Sequence, residues 1–184
     1  MKYFRNILTC SIVLFVSAIS ACSRSEDSKQ SSLPIDTKYE NLTTIKLTSI
    51  LYISAFTERL PSGEGRSEFD AYRADGGKTN RVYNQSFDSA YDARLEVCYG
   101  IQYLGKPIVV LRVLYGAAAE TLEIFGINND SIIYLQSLSA GGFQWCYQSV
   151  SGKTLLVAIP GSAGDQTVYY SWNGVRFDQV NSSI

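Results

Sequence analysis

The side chains that usually carry chemistry are distributed in this chain in a way that excludes more than it permits. Histidine is absent from all 184 residues. That removes the customary general base of serine and cysteine hydrolases and the commonest transition-metal ligand. The cysteines are Cys10, Cys22, Cys98 and Cys146. With no histidine beside them, Cys98 and Cys146 cannot close a four-coordinate zinc site, and neither a metal nor another cofactor is expected. Carboxylate chemistry stays open, because glycoside hydrolysis needs only two acids, and so does a hard-cation site built of oxygens. The spacing favours neither. Asn128-Asn129-Asp130-Ser131 lacks the alternating ligands and terminal glutamate of an EF-hand loop, and reads as a turn. Gly141-Gly142 and Gly161-Ser162-Ala163-Gly164 lack the lysine and the following helix of a phosphate-binding loop. No catalytic residue is assigned, and the chain reads as a non-enzyme.

The N-terminus has a different chemistry. Lys2 and Arg5 precede an apolar run from Ile7 to Ile19, which ends in small residues. A bilayer core needs about 20 apolar residues, so the run is too short to span one. Positive start, short apolar middle and small residues define a signal peptide, residues 1–21. Its end, Ile19-Ser20-Ala21-Cys22, resembles the lipobox of bacterial lipoproteins. The resemblance implies cleavage before Cys22, a diacylglycerol on its thiol, and two or three acyl chains of the palmitate kind. At about 0.8 kcal/mol per buried methylene, such chains hold a protein on a membrane essentially permanently. Ser23 stands where aspartate would be the inner-membrane retention signal, so the resemblance implies the outer membrane, facing the periplasm. Residues 23–34 (SRSEDSKQSSLP) contain nothing to bury except Leu33 and read as a mobile tether. Residues 22–34 are therefore the lipidated cysteine and tether, and residues 35–184 a single domain.

That domain reads as all-β. From Thr43 onward, short runs rich in Val, Ile, Tyr and Phe alternate with clusters of Gly, Asn, Asp and Ser, the pattern of antiparallel strands and hairpins. Leu95, Val97, Tyr99, Ile101 and Tyr103 alternate on one face, as do Phe143, Trp145 and Tyr147. In both strands the cysteine is expected on the polar face. Val97-Cys98-Tyr99 followed by Gly105-Lys106-Pro107 is echoed by Trp145-Cys146-Tyr147 followed by Gly152-Lys153-Thr154. The echo marks an internal repeat with candidate units 43–88, 93–138 and 141–181. Four strands per unit and a period in the 40s suit propeller blades and trefoil units alike. An antiparallel meander of about three four-stranded blade-like repeats is preferred, with a β-trefoil as the alternative. Asn173-Gly174 is expected to form a two-residue type I′ turn.

Equivalent cysteines on equivalent strands suggest that Cys98 and Cys146 join stacked units through a disulfide, stabilising the fold by about 4 kcal/mol in the chain-entropy model. Candidate binding positions are Ser139, Gly141 and Gly142 of the small-residue loop; most tyrosines read as core and sheet-face packing, while Tyr39, Tyr72, Tyr83 and Tyr91 of the more polar N-terminal half are the candidates for an exposed recognition face. Beyond residue 21 the formal balance is 14 basic to 17 acidic side chains, which disfavours nucleic acid as a partner. The function expected is a membrane-anchored periplasmic protein that binds another protein. An inhibitor or immunity protein against a cell-wall-degrading enzyme has similar size and address. A structural or assembly accessory of an envelope complex is the alternative, and a carboxylate-based glycan-active enzyme is the third reading.

Overall fold

The structure is a computed structural model that describes residues 40–60, 64–116, 119–148, 153–162 and 166–181. The signal segment 1–21, the lipid site Cys22 and the tether 22–34 lie outside the described residues. Among the described residues every regular element is a strand. They are β1 (Glu40–Lys46), β2 (Leu51–Arg59), β3 (Gly65–Asp75), β4 (Lys78–Asp88), β5 (Asp92–Tyr103), β6 (Lys106–Leu114), β7 (Glu120–Asn128), β8 (Ser131–Ala140), β9 (Gly142–Gln148), β10 (Lys153–Ile159), β11 (Val168–Trp172) and β12 (Phe177–Val180).

Three antiparallel meanders result, β1-β2-β3-β4, β5-β6-β7-β8 and β9-β10-β11-β12, each a blade-like unit of neighbours in chain order. This is the preferred architecture rather than the trefoil. Three hairpins are closed by pairs of residues that both have positive φ: Gly76 and Gly77 (55° and 80°), Leu104 and Gly105 (50° and 76°), Asn129 and Asp130 (45° and 56°). Such pairs match the strand twist in two-residue turns of type I′. The segment 128–131 is thus a hairpin turn, as its composition indicates. Asn173-Gly174 behaves differently. Trp172 pairs with Phe177, leaving four residues in the connection, and the side-chain Oδ1 of Asn173 accepts hydrogen bonds from the backbone N–H groups of Val175 and Arg176 at 2.9 and 3.0 Å. Gly174 still takes a positive φ of 103°, but the asparagine side chain organises a four-residue connection around it, so the expected two-residue turn is not formed.

The sheets stack with the second between the other two. One buried cluster joins Leu51, Ile53, Phe69, Ala71 and Phe87 of the first sheet to Leu95, Val109, Leu111, Phe125 and Ile127 of the second. Another joins Cys98, Ile108, Val110, Leu122 and Ile124 of the second to Phe143, Leu156, Ala158 and Phe177 of the third. The middle sheet has no polar face, which explains the nearly unbroken apolar run Ile108 to Leu111 in β6. The alternation expected along β5 is also broken. A register shift between Cys98 and Gln102 puts Ile101 on the same side as Cys98 and leaves Tyr99 62% exposed, as a bulge re-aims the residues beyond it. Cys98 itself precedes the bulge and lies on the face that the third sheet covers, so it is fully buried, contrary to the polar face expected.

The face of the first sheet turned away from the second carries a polar cluster. Asp70 accepts hydrogen bonds from the Tyr72 hydroxyl and the Asn84 amide, both at 2.8 Å, with Arg81 at 3.6 Å. Burial, then the Asp70 hydrogen bond and charge, push the Tyr72 phenol up to about 12.

Candidate functional site

The meander topology places the three hairpin turns at one end of the stack. The opposite end carries the links between sheets, at 88–92 and 140–142, and the connections β2–β3, β6–β7 and β10–β11. At this linker end the seam between the second and third sheets holds a charged network inside an otherwise apolar contact. Arg112 lies one residue after Leu111 in β6. It faces the third sheet together with Val110, and its side chain is 13% exposed. Glu96 of β5 and Glu120 of β7 flank it, 19% and 12% exposed.

All four carboxylate oxygens in this network are committed. Arg112 Nε donates to Glu96 Oε1, and Arg112 Nη1 donates to Glu120 Oε1 at 2.7 Å. The indole Nε1 of Trp145 donates to Glu96 Oε2 at 3.2 Å, and the backbone N–H of Phe143 donates to Glu120 Oε2 at 2.7 Å. Arg112 also donates to the Phe143 carbonyl at 3.2 Å. Burial alone would lower the basicity of Arg112, but Glu96 and Glu120 outweigh it and hold the guanidinium above its ordinary range. Trp145 and Phe143 belong to the third sheet, so the network staples one sheet to the next with charge-assisted bonds.

Beside it opens a cavity of about 380 Å³ lined by Tyr91, Arg94, Leu95, Glu96, Arg112, Leu114, Gly116, Ala119, Glu120 and Gly141. Tyr91 is 48% exposed, and its hydroxyl donates to the Gly116 carbonyl at 3.1 Å. The Arg94 side chain is 51% exposed and rests on Asp92 at 2.7 Å. Gly141 closes the far wall. A Cβ there would stand 2.4 Å from the Gly161 Cα, so only glycine lets the β8–β9 link run against the 160–161 backbone.

Two of the three loop candidates thus belong here. Gly141 lines the cavity, and Gly142 lies at its edge, within 3.7 Å of Glu120 Oε2 from an added Cβ. Ser139 does not. It pairs with Thr121 across β7–β8, with the two hydroxyls 3.0 Å apart, on the face of the second sheet that looks toward the first. The charged triad was legible in principle. A single arginine inside Ile108 to Leu114 must find counter-charges, and the strands on either side of β6 supply them.

A second polar feature lies in the seam between the first and second sheets. Glu123 of β7 is 7% exposed. Ser137 donates to its Oε1 at 2.9 Å, while Oε2 is buried and has no hydrogen-bond partner. Burial pushes its carboxyl above the usual value, opposed in part by Ser137 and Tyr134. Tyr83, Tyr115 and Tyr134 all feel this charge, and their phenols are raised by burial first and then by Glu123. Beneath them Phe125 is in edge contact with both Tyr83 and Tyr134, at 5.7 and 5.8 Å between ring centres.

The two cysteines do not meet. Cys146 is exposed and its thiol is free, whereas Cys98 is buried between the second and third sheets. The reason is the repeat itself. Equivalent residues of successive units point the same way, so Cys98 faces the third sheet and Cys146 points away from the second, on the far side of its own sheet. Packed sheets lie about 10 Å apart, beyond the roughly 7 Å limit for Cα atoms joined by a disulfide.

Among the described residues no group of three or more His, Cys, Asp or Glu side chains converges as metal ligands would, and no helix is long and apolar enough to cross a membrane. No family model, no curated protein and no solved structure matches the chain.

Proposed function

We propose that the protein is a bacterial envelope lipoprotein, anchored through Cys22 at the outer membrane, that binds a partner protein without transforming it. The recess at the linker end, flanked by Tyr91 and Arg94, is its contact surface. The observation that carries this reading is the pairing of an open recess with carboxylates that have no oxygen to spare. Glu96 and Glu120 converge as a catalytic pair would, yet Arg112, Trp145 and Phe143 occupy all four of their oxygens. General acid or base work needs a carboxyl within reach of the substrate proton, and this pair is spent on holding two sheets together.

Tyrosine and arginine at the mouth of the recess are the residue types that dominate binding energy at protein interfaces. The neighbouring Gly116 and Gly141 present backbone rather than bulk. β1 begins at Glu40, which pairs with Thr57 close to the β2–β3 connection, so the first described strand starts at the same end as the recess. An inhibitor or immunity role against a cell-wall-degrading enzyme fits this arrangement, because small loops on a rigid β scaffold suit the obstruction of a cleft.

Affinity purification of the tagged, membrane-bound protein from solubilised envelopes tests the proposal. A defined protein partner is expected, retained by the wild type and lost from Tyr91→Ala and Arg94→Ala. A stoichiometric complex of membrane machinery would favour the assembly role over the inhibitor, while equal recovery with both variants would remove the recess from the account.

A further inference from the structure

The face of the first sheet turned away from the second is shut off from water, although among the described residues no strand lies over it. The second sheet covers the opposite face, against Ile53, Phe69 and Phe87. Pairing puts Thr44, Ser54 and Asp70 in one row on the far face, and Phe56 and Glu68 in the next. Ser54 is 3%, Asp70 2% and Phe56 7% exposed, and the Thr44 hydroxyl is buried without a hydrogen-bond partner. A small side chain such as Ser54 is hidden by its neighbours alone. A phenyl ring standing up from a sheet is different, because neighbours shield its flanks and only an overlying group shields its tip. Phe56 belongs to neither buried cluster, so a further part of the chain covers it.

The point at which the chain enters the sheet indicates which part. β1 begins at Glu40, paired with Thr57 beside Phe56. Strand alternation puts the preceding residue, Tyr39, on the face of Phe56 and Glu58. Residues 33–39 read Leu-Pro-Ile-Asp-Thr-Lys-Tyr, so Leu33, Ile35 and Tyr39 bring large apolar and aromatic groups that the polar stretch before them lacks. Seven extended residues span about 23 Å, and four strands spaced about 4.8 Å apart measure about 14 Å across, so the segment reaches over the whole face. Residues 61–63, in the β2–β3 connection, are Pro-Ser-Gly and have little to bury.

We propose that residues 33–39 dock across this outer face, with Tyr39 over Phe56, as a strap that fastens the membrane tether to the domain. The free tether is then residues 23–32, at most about 35 Å long, and the face is closed to partners. The docking is independent of the recess at Arg94. It draws on the proposed function only for cleavage before Cys22, which removes the other apolar run, Ile7 to Ile19.

The test places a cysteine on the covered face, Ser54→Cys in a Cys146→Ser background, in protein purified from envelopes. Iodoacetamide addition at position 54 is followed by peptide mass. The reaction is expected to be slow, and to accelerate about tenfold when Ile35→Ser and Tyr39→Ser are added and circular dichroism shows the fold retained. Trypsin gives a second reading on the unmutated protein, whatever the variants do. Cleavage after Lys29 is expected to be at least about tenfold faster than cleavage after Lys38. Fast alkylation at position 54 with the segment intact, slow alkylation unchanged by the two segment substitutions, or equal cleavage after Lys29 and Lys38 would overturn the proposal.

Discussion

The indole Nε1 of Trp145, on the third sheet, donates a hydrogen bond to Glu96, on the second, at 3.2 Å. That one contact links the polar interior of the seam to the guanidinium of Arg112, which the same carboxylate accepts on its other oxygen. The second and third sheets are held by apolar packing along most of their contact and by this network at the linker end, where the recess opens.

Removing Arg112 would strip the counter-charge from two nearly buried carboxylates. Arg112→Met is expected to destabilise the domain by about 3–5 kcal/mol, the usual cost of leaving buried charges uncompensated. Equilibrium urea unfolding reads this directly. A change under about 1 kcal/mol would mean that Glu96 and Glu120 reach water and that the staple contributes little.

Leu104 is the misfit among the turn residues. It holds a φ of 50° with its side chain 66% exposed, and L-residues other than Gly and Asn reach that region at a cost of roughly 1–2 kcal/mol. Leu104→Asn, which gives the Asn-Gly sequence preferred in type I′ turns, is expected to raise stability by about 0.5–1 kcal/mol, measured as a higher urea midpoint with an unchanged slope. A loss of stability would show that Leu104 packs against something it needs.

Cys146 is exposed and free. It is expected to react with iodoacetamide in the native protein without denaturant, giving a mass increase that Cys146→Ser abolishes. The same substitution should move stability by no more than about 0.5 kcal/mol. A native Cys146 that resists alkylation would contradict the placement of this strand face at the surface.

What could be read from the residues, and what could not, follows from where the information lies. The period of the repeat is local: strand composition and turn residues recur along the chain, and the three meanders follow. Face assignment is not local. Cys98 stands in an alternating strand and reads as polar-facing, but the second sheet is covered on both sides, which no single-strand pattern reveals. The repeat also does not bring the two cysteines together. Equivalence across a stack separates residues by one sheet instead of bringing them together. The recess was half visible. Gly141 and Gly142 mark it, whereas Tyr91 and Arg94 come from the preceding link and strand, and only stacking brings them opposite that loop. Glu123 gave no local sign of burial, because a glutamate in a β-strand ordinarily faces water.

Glu123 also makes stability depend on pH with a definite sign. Its carboxyl is held above the ordinary 4.5 by burial, so the folded chain binds that proton more tightly than the unfolded chain does. The contribution is fully present below the unfolded value and is lost as pH rises through the folded value. The wild type should therefore lose stability relative to Glu123→Gln as pH rises above 4.5. Thermal midpoints of both proteins across that range check it, and a difference that grew toward acid would refute the assignment.

The linker end, at Tyr91 and Arg94, is the surface proposed to meet a partner in the envelope. Photo-crosslinking from a benzoylphenylalanine placed at position 91 tests it most directly, with the same probe at Tyr99, 62% exposed, as the control. One discrete cross-linked protein is expected from position 91 in intact envelopes, absent from position 99 and lost when Arg94 is also changed to Glu. Adducts of equal yield at both positions, or none at 91, would contradict it.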